Sequence, residues 1–522
     1  MAGVEWLKRR NRGIHMTIRD VDCEDFDAEA MAREFARLKV TFFSFFAGGY
    51  VTTYPTDLDL QRVSPWLGDQ DITGEIVEAA HRHGIRAFPM LDLGALPNVA
   101  FEAHPEWPAR NADGTPRRAT PYTYCSCPMG GWVREYSRQM VREICERYDV
   151  DGMKFGGGSY GFGRDVCHCE ACRQGYRRDT GQGLPNRRDW SDPAWRRYVR
   201  WREEQTVQCV AELVQMVHSI RPGLPVVGNS VCFGDPGWTV NSSLDIERLA
   251  ELEDIVQVEI QTRFWFGPEG SGGDWQYLRW PAETANYMTT VSDRPVWAVA
   301  SYFAAWPWRR NAAPPVEQKV YLAQVAAHGG HPMVNLSGGP PAVHEDKRGF
   351  AAMESLFSFM DEHQELYGGD SSPANAAIVY SQATLMYYGN DRAGSRYVND
   401  LRGFEQALNE AHIPYDITST RRLDEDSLSR YEVLIVPSMV CMNNATAERL
   451  RAFVEGGGGL IADFETGTRD EFGESRERAL LAGAVGFQDT GQTEMVCGEG
   501  HSGPVQGYMR VHHGQPLSEG MA

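Results

Sequence analysis

The sequence predicts an α/β protein in which a (β/α)8 TIM barrel is followed by a doubly wound, flavodoxin-like α/β domain. Three observations predict it: eight apolar runs alternating with longer helical patterns between residues 14 and about 366, a Gly/Ser/Pro break after them, and a second βα series beyond the break. Short apolar runs separated by helical patterns are the rhythm of a parallel sheet whose faces are covered by helices. Eight such units specify a barrel, with the active site at the C-terminal ends of its strands.

The strand candidates are residues 14–18, 40–46, 86–91, 152–155, 225–228, 255–260, 295–300 and 332–336, each followed by a helical pattern. The linker Gly368-Gly369-Asp370-Ser371-Ser372-Pro373 ends this series, and Ala376-Ala377-Ile378-Val379-Tyr380 opens the next. Val433-Leu434-Ile435-Val436-Pro437, a helix through Leu450 and Phe453, and Leu460-Ile461-Ala462 after a glycine run suggest an open doubly wound sheet. The run Gly456-Gly457-Gly458-Gly459 ends a helix and precedes a strand, the reverse of a nucleotide loop, so it reads as a helix C-cap. The domains expected are residues 1–370 for the barrel, 371–480 for the second α/β domain and 481–522 for an irregular, Gly-rich end.

The chain has 522 residues and a formal net charge of -20, which argues against binding nucleic acid, whose phosphates need a basic footprint. The N-terminal stretch lacks the apolar core of a signal peptide, and no run of eighteen apolar residues suggests a membrane span. The expectation is a cytoplasmic protein with no membrane partner. Eleven cysteines, an odd and clustered set, fit a reducing compartment better than a disulfide scaffold.

The cluster Cys167-His168-Cys169-Glu170-Ala171-Cys172 follows the fourth strand, with Cys125 and Cys127 upstream. Three sulfurs at C-x-C and C-x-x-C spacing plus one from another loop can close a tetrahedron around Zn²⁺, unless these are simply reduced loop cysteines. A four-sulfur site has no open position, so its zinc would be structural, and no organic cofactor is expected.

Several of these segments are similar to a known family. The string from Ile14 through Asp27, Ala47-Gly48-Gly49-Tyr50 leading to Tyr54-Pro55-Thr56, His104-Pro105-Glu106-Trp107, Arg147-Tyr148-Asp149-Val150-Asp151-Gly152 and the cysteine cluster resemble the glycosyl hydrolases classified as hypothetical glycosyl hydrolase family 6. The segment 376–463 resembles the trimerisation domain of glycoside hydrolase family 42 β-galactosidases. The resemblance implies an exo-acting glycosidase, a homo-oligomer (a trimer by analogy, with a dimer as the alternative) and a structural zinc on Cys167, Cys169, Cys172 and either Cys127 or Cys125.

Glycoside hydrolysis usually needs two carboxyl groups, one to protonate the leaving oxygen and one to attack the anomeric carbon or activate water. The relatives' carboxylate after strand four has no counterpart, because Lys154-Phe155-Gly156-Gly157-Gly158-Ser159-Tyr160-Gly161 occupies that place. Those glycines suggest an open pocket there. The catalytic candidates are therefore Glu259 in strand six, Asp92 after strand three and Asp20 after strand one, with Asp22 and Asp346 as further mouth carboxylates. Glu259 puts a charge in an otherwise apolar strand, which marks either catalysis or an interior salt bridge with Arg19 or Arg263.

Sugar-orienting candidates are Arg19, Asn229, Arg263, Asn335 and His344, with Trp265, Tyr302 and Trp306 as stacking platforms within Phe264-Trp265-Phe266 and Tyr302-Phe303-Ala304-Ala305-Trp306-Pro307-Trp308. Arg19, Arg263, Arg309 and Arg310 near one mouth raise an alternative, an exo-sialidase-type hydrolase of an acidic sugar, since guanidinium pairs bidentately with carboxylate. Two further rivals are a non-catalytic carbohydrate-binding protein and a barrel enzyme with a catalytic metal at its mouth. In each of the sugar readings the partner is a carbohydrate.

Overall fold

The computed structural model describes residues 6–156, 163–228, 230–231, 236–260, 278–305, 308–367, 372–463 and 465–484. All eight expected barrel strands are present: Gly13–Met16, Phe42–Gly48, Arg86–Asp92, Met153–Gly156, Val226–Val227 continued by Ser230–Val231, Val256–Glu259, Val296–Ser301 and His331–Leu336. Every pairing among them is parallel. The ring closes through strand five, whose first half bonds strand four (Met153 opposite Val226) and whose second half bonds strand six (Val258 opposite Ser230).

The helices form where capping and amphipathic patterning coincide. Asp27, Asp71 and Asp192 each accept a backbone N–H at the start of Ala28–Arg37, Ile72–Arg82 and Pro193–Ile220, satisfying donors that a helix N-terminus leaves open. Their apolar faces cover the outside of the barrel.

Alternate residues of each strand point inward, so the interior can be read along the chain. Near the N-terminal ends it is apolar: Phe42, Phe88, Val227, Ile255, Trp297 and Met333 form one buried cluster. The Trp297 ring stacks on Phe42 at 4.0 Å and meets Phe88 edge-on at 5.0 Å. Strand four makes room for this floor with Gly152, where a Cβ would fall 2.2 Å from the Phe88 ring. Further along the same strands the inward positions become His15, Ser44, Asp92, Lys154, Glu259, Ser301 and Asn335.

One element escaped the sequence reading. The connection after strand three carries a three-stranded antiparallel sheet, Ala95–Pro97, Thr123–Cys125 and Arg118–Thr120, whose strands are too short to show a period.

The second α/β unit is a four-stranded parallel sheet of Ala376–Tyr380, Tyr415–Ser419, Val433–Val436 and Gly459–Ala462, in the order second, first, third, fourth. The glycine run does end the helix Asn444–Glu455, with Gly457 at φ +100. This unit docks on the barrel through polar contacts. Arg402 pairs with the fully buried Glu283 at 2.9 Å, and Glu247 accepts from Tyr287 at 2.8 Å and from Ser419 at 2.6 Å. The Asn286 side chain bonds both Tyr415 O and Ile417 N, covering the edge strand Tyr415–Ser419 with a barrel helix.

Candidate active site

The upper barrel interior gathers ionisable side chains from four strands. Lys154, 1% exposed, places Nζ 3.3 Å from His15 Nδ1, which lies 2.8 Å from Ser44 Oγ. Burial lowers the Lys154 amine to about 7, while the nearby Glu259 carboxylate favours its charged form. Burial, reinforced by the charge of Lys154, pushes His15 well below the usual histidine range, so its imidazole is neutral.

Asp92 stands at the top of strand three. Burial raises its pKa to about 7, opposed by the Gly94 N–H donating to Oδ1 at 3.1 Å. A carboxyl that keeps its proton near neutral pH suits proton donation to a leaving group. Strands three and six stand three places apart in an eight-stranded ring, so Asp92 and Glu259 face each other across the barrel rather than side by side.

Strand four departs from the sequence expectation. Gly156 faces inward in register with Asp92, but the room left by its missing side chain is filled: a Cβ there would lie 2.5 Å from Met90 Sδ. The glycine accommodates a neighbouring thioether and leaves no open pocket at that position. At the end of strand seven stands Ser301, also without a carboxylate.

Asp20 belongs elsewhere. Both of its oxygens accept from Arg62, at 2.8 and 2.9 Å, in a fork that ties the loop after strand one to the loop after strand two. Asp346 is likewise held by Arg348 at 2.8 Å and by the Ala312 N–H at 2.9 Å. Tyr302 is fully buried; its hydroxyl donates to Asp346 O, and its ring packs edge-on against His344 at 4.9 Å. His344 is itself buried and 3.1 Å from Gly339 O, and desolvation lowers it to about 4. These two are buried against each other and order the strand-eight loop.

Asn335 is buried in strand eight opposite His15, with its backbone oxygen accepting from Tyr302 N–H. Arg19 sits at the mouth of strand one, its guanidinium donating to Ser337 O, and burial beside Arg309 lowers it to about 10. Asn229, Arg263, Trp265 and Trp306 lie outside the described residues. Sequence reasoning passed over His15, Ser44 and Lys154, because each sits in a run read only as a strand. A lysine inside Met153-Lys154-Phe155 was the visible signal.

Beside the mouth, Cys127, Cys167, Cys169 and Cys172 are all buried, with their sulfurs within 4.8 Å of one another. Cys127 Sγ lies 3.4, 3.6 and 3.9 Å from those of Cys172, Cys169 and Cys167. A tetrahedron with metal–sulfur bonds of about 2.3 Å has edges of about 3.8 Å. The donor set therefore fits a metal ion, and it decides between the upstream cysteines: Cys125 is half-buried and outside the group. The group joins the loop after strand three to the loop after strand four.

Fold and site together define a (β/α)8 barrel with a polar, carboxyl-bearing mouth, a cysteine cluster bracing that mouth and an appended α/β domain. Comparison with known proteins places it among glycosyl hydrolase folds. Residues 27–155 match the family model described as Hypothetical glycosyl hydrolase 6, and residues 374–482 match that described as Beta-galactosidase trimerisation domain. Among curated proteins it is similar to β-galactosidase GalA of Bacillus licheniformis, 22% identical over 78% of this chain and 65% of that protein. β-Galactosidase GanA of Bacillus subtilis is also 22% identical, over 78% of this chain and 66% of that protein. The chain thus spans just under two thirds of the length of these relatives. Solved structures sharing the fold include α-L-fucosidase isoenzyme 2 from Paenibacillus thiaminolyticus, with a TM-score of 0.67, 19% identity, and coverage of 90% of this chain and 66% of that one. The β-galactosidase from Rahnella sp. R3 gives 0.69 at 17% identity, covering 91% and 74%.

Proposed function

We propose that this chain is an exo-acting glycoside hydrolase that works at the upper barrel interior, with Asp92 as the proton donor and Glu259 as the second carboxylate. The observation that carries the reading is the facing pair on strands three and six, one member of which burial keeps protonated near pH 7. Asp92 would hand its proton to the glycosidic oxygen. Glu259, kept beside the Lys154 ammonium, would attack the anomeric carbon or activate water. The names borne by the relatives, β-galactosidase and α-L-fucosidase, support a terminal sugar as the group removed.

The four-cysteine group is assigned to a structural zinc on Cys127, Cys167, Cys169 and Cys172. Four thiolates leave no coordination position for water, so the ion would hold the mouth loops and take no part in the chemistry. The appended domain is proposed to drive homo-oligomerisation, a trimer by analogy with the β-galactosidase domain it matches; light scattering giving a monomer would refute that. No helix among the described residues is long and apolar enough to cross a membrane, and a cytoplasmic location is the reading we favour.

The test is hydrolysis of a panel of 4-nitrophenyl glycosides (galactose, fucose, arabinose, glucose) and an aryl sialoside by wild type and by Glu259→Gln. Release from one sugar that disappears in the variant supports the assignment. One rival, a sugar-binding protein without turnover, is motivated by the lack of a carboxylate at the ends of strands four and seven. Binding of a sugar with no release from any glycoside would favour that rival.

A further inference from the structure

Of the chain's 51 basic residues, five are lysine, namely Lys8, Lys39, Lys154, Lys319 and Lys347, and the rest are arginine. Four of these lysines are exposed, whereas Lys154 is 1% exposed inside the barrel. Arg202 is equally buried, and it serves as a structural cation that donates to the backbone oxygens of Gly163 and Asn241. A chain that writes nearly every cation as arginine thus keeps an amine in its upper barrel interior. The two groups differ there in chemistry: a guanidinium cannot lose its proton in a protein, whereas an amine can, and it is then a nucleophile.

The surroundings suit that use. Lys154 Nζ lies 3.3 Å from His15 Nδ1, which also meets Ser44 Oγ at 2.8 Å. With the ring proton on Nε2, Nδ1 accepts from the amine and leaves the nitrogen lone pair for an electrophile. Asp92 stands one inward position higher on the adjacent strand, since Met90 is opposite Lys154 and Asp92 opposite Gly156. Asp92 and Glu259 are half-buried, so the interior opens toward solvent above the amine. Ser301 and Asn335, in register on strands seven and eight, add hydrogen-bonding groups suited to hydroxyls. Burial lowers the amine to about 7, which leaves a large fraction as free base at neutral pH.

We propose that Lys154 forms a Schiff base with the carbonyl group of a small hydroxyaldehyde or hydroxyketone, such as a sugar in its open-chain form. The neutral amine adds to the carbonyl carbon, and a proton passes from nitrogen to oxygen to give a carbinolamine. Asp92 then protonates the hydroxyl, the C–O bond breaks and water leaves. A protonated imine remains beside the Asp92 carboxylate. Nothing is oxidised or reduced, and hydrolysis reverses the step. The inference stands apart from the glycosidase reading, because adduct formation and glycoside hydrolysis are read separately.

The native full-length protein would be incubated at pH 7 with glycolaldehyde or dihydroxyacetone and sodium cyanoborohydride, which reduces an imine to a stable secondary amine. Mass spectrometry would then quantify each lysine peptide. An exposed lysine is almost wholly protonated at this pH, so Lys154 should be labelled about 10-fold or more faster than the four exposed lysines. Its rate should rise with pH and level off above about 7, and the preference should vanish in urea. Asp92→Asn, checked for folding by circular dichroism, should slow labelling of Lys154 about 10-fold or more and leave that of Lys319 unchanged. The two probes, each scaled to Lys319, tell an aldehyde substrate from a ketone. Labelling of Lys154 no faster than that of the exposed lysines with either probe, a preference that persists in urea, or an unchanged rate in Asp92→Asn would overturn the proposal. An adduct without hydrolysis of any glycoside would leave the Schiff base standing and remove the glycosidase reading; hydrolysis without an adduct would do the reverse.

Discussion

The two halves of the barrel interior are built from the same strands and differ in what they tolerate. Phe42, Phe88, Trp297 and Met333 fill the lower half with contacts among rings and a thioether. A few residues further along, His15, Asp92, Lys154 and Glu259 stand in the same enclosed space. Burying an amine and a carboxyl costs free energy that apolar residues would not, and both respond with a pKa near 7. The lower half is chosen for packing, and the upper half keeps groups that packing alone would have replaced. Perturbed, enclosed ionisable groups at the C-terminal end of a barrel are what a catalytic site requires.

Substitutions that separate the two halves sharpen this contrast. Glu259→Gln should lower kcat/KM by about 10²–10⁴-fold while leaving thermal unfolding nearly unchanged; an active variant would remove Glu259 from the chemistry. Trp297→Ala should do the opposite, destabilising the fold by about 3–5 kcal/mol with little change in substrate preference among the molecules that remain folded, as read by denaturant unfolding. Cys169→Ser should reduce bound zinc, measured by elemental analysis, and lower the unfolding temperature by several degrees. A protein that holds no zinc as isolated from zinc-supplemented growth would contradict the metal assignment.

Lys154→Met is the mildest of these. The amine's pKa falls from 10.5 unfolded to about 7 folded, so the unfolded chain binds the extra proton between those values. Native stability therefore declines as pH drops from 10.5 to about 7 and stays low below that, and the substitution removes this penalty. The variant should unfold at a temperature a few degrees higher than wild type at pH 6, with the gap closing toward pH 10, and it should lose activity. No pH dependence in the gap would mean that the amine is not desolvated as described.

Much of the barrel was legible because its cause is local: apolar runs alternating with capped amphipathic helices mark parallel strands wherever they occur. The cysteine group was legible for the same reason, its spacing being short-range, although choosing Cys127 over Cys125 needed the fold. Individual roles were not. Asp20 looked like a mouth carboxylate until Arg62, 42 residues away, appeared on both its oxygens. Tyr302 and His344 had the composition of a sugar site but pack against each other inside the strand-eight loop. Gly156 suggested space that Met90 occupies from the adjacent strand. Each case turns on a partner distant in sequence, which no window of neighbouring residues contains.

The most direct test of the central claim is the pH dependence of kcat/KM for the best glycoside substrate in wild type and in Asp92→Asn. A proton donor raised to about 7 by burial predicts a rate that falls on the alkaline side with an apparent pKa near 7. In Asp92→Asn the residual rate should be at least about 10²-fold lower and should lack that limb. A variant with near wild-type rate and the same alkaline limb would show that the upper barrel interior does not supply its proton through Asp92, and would contradict the account.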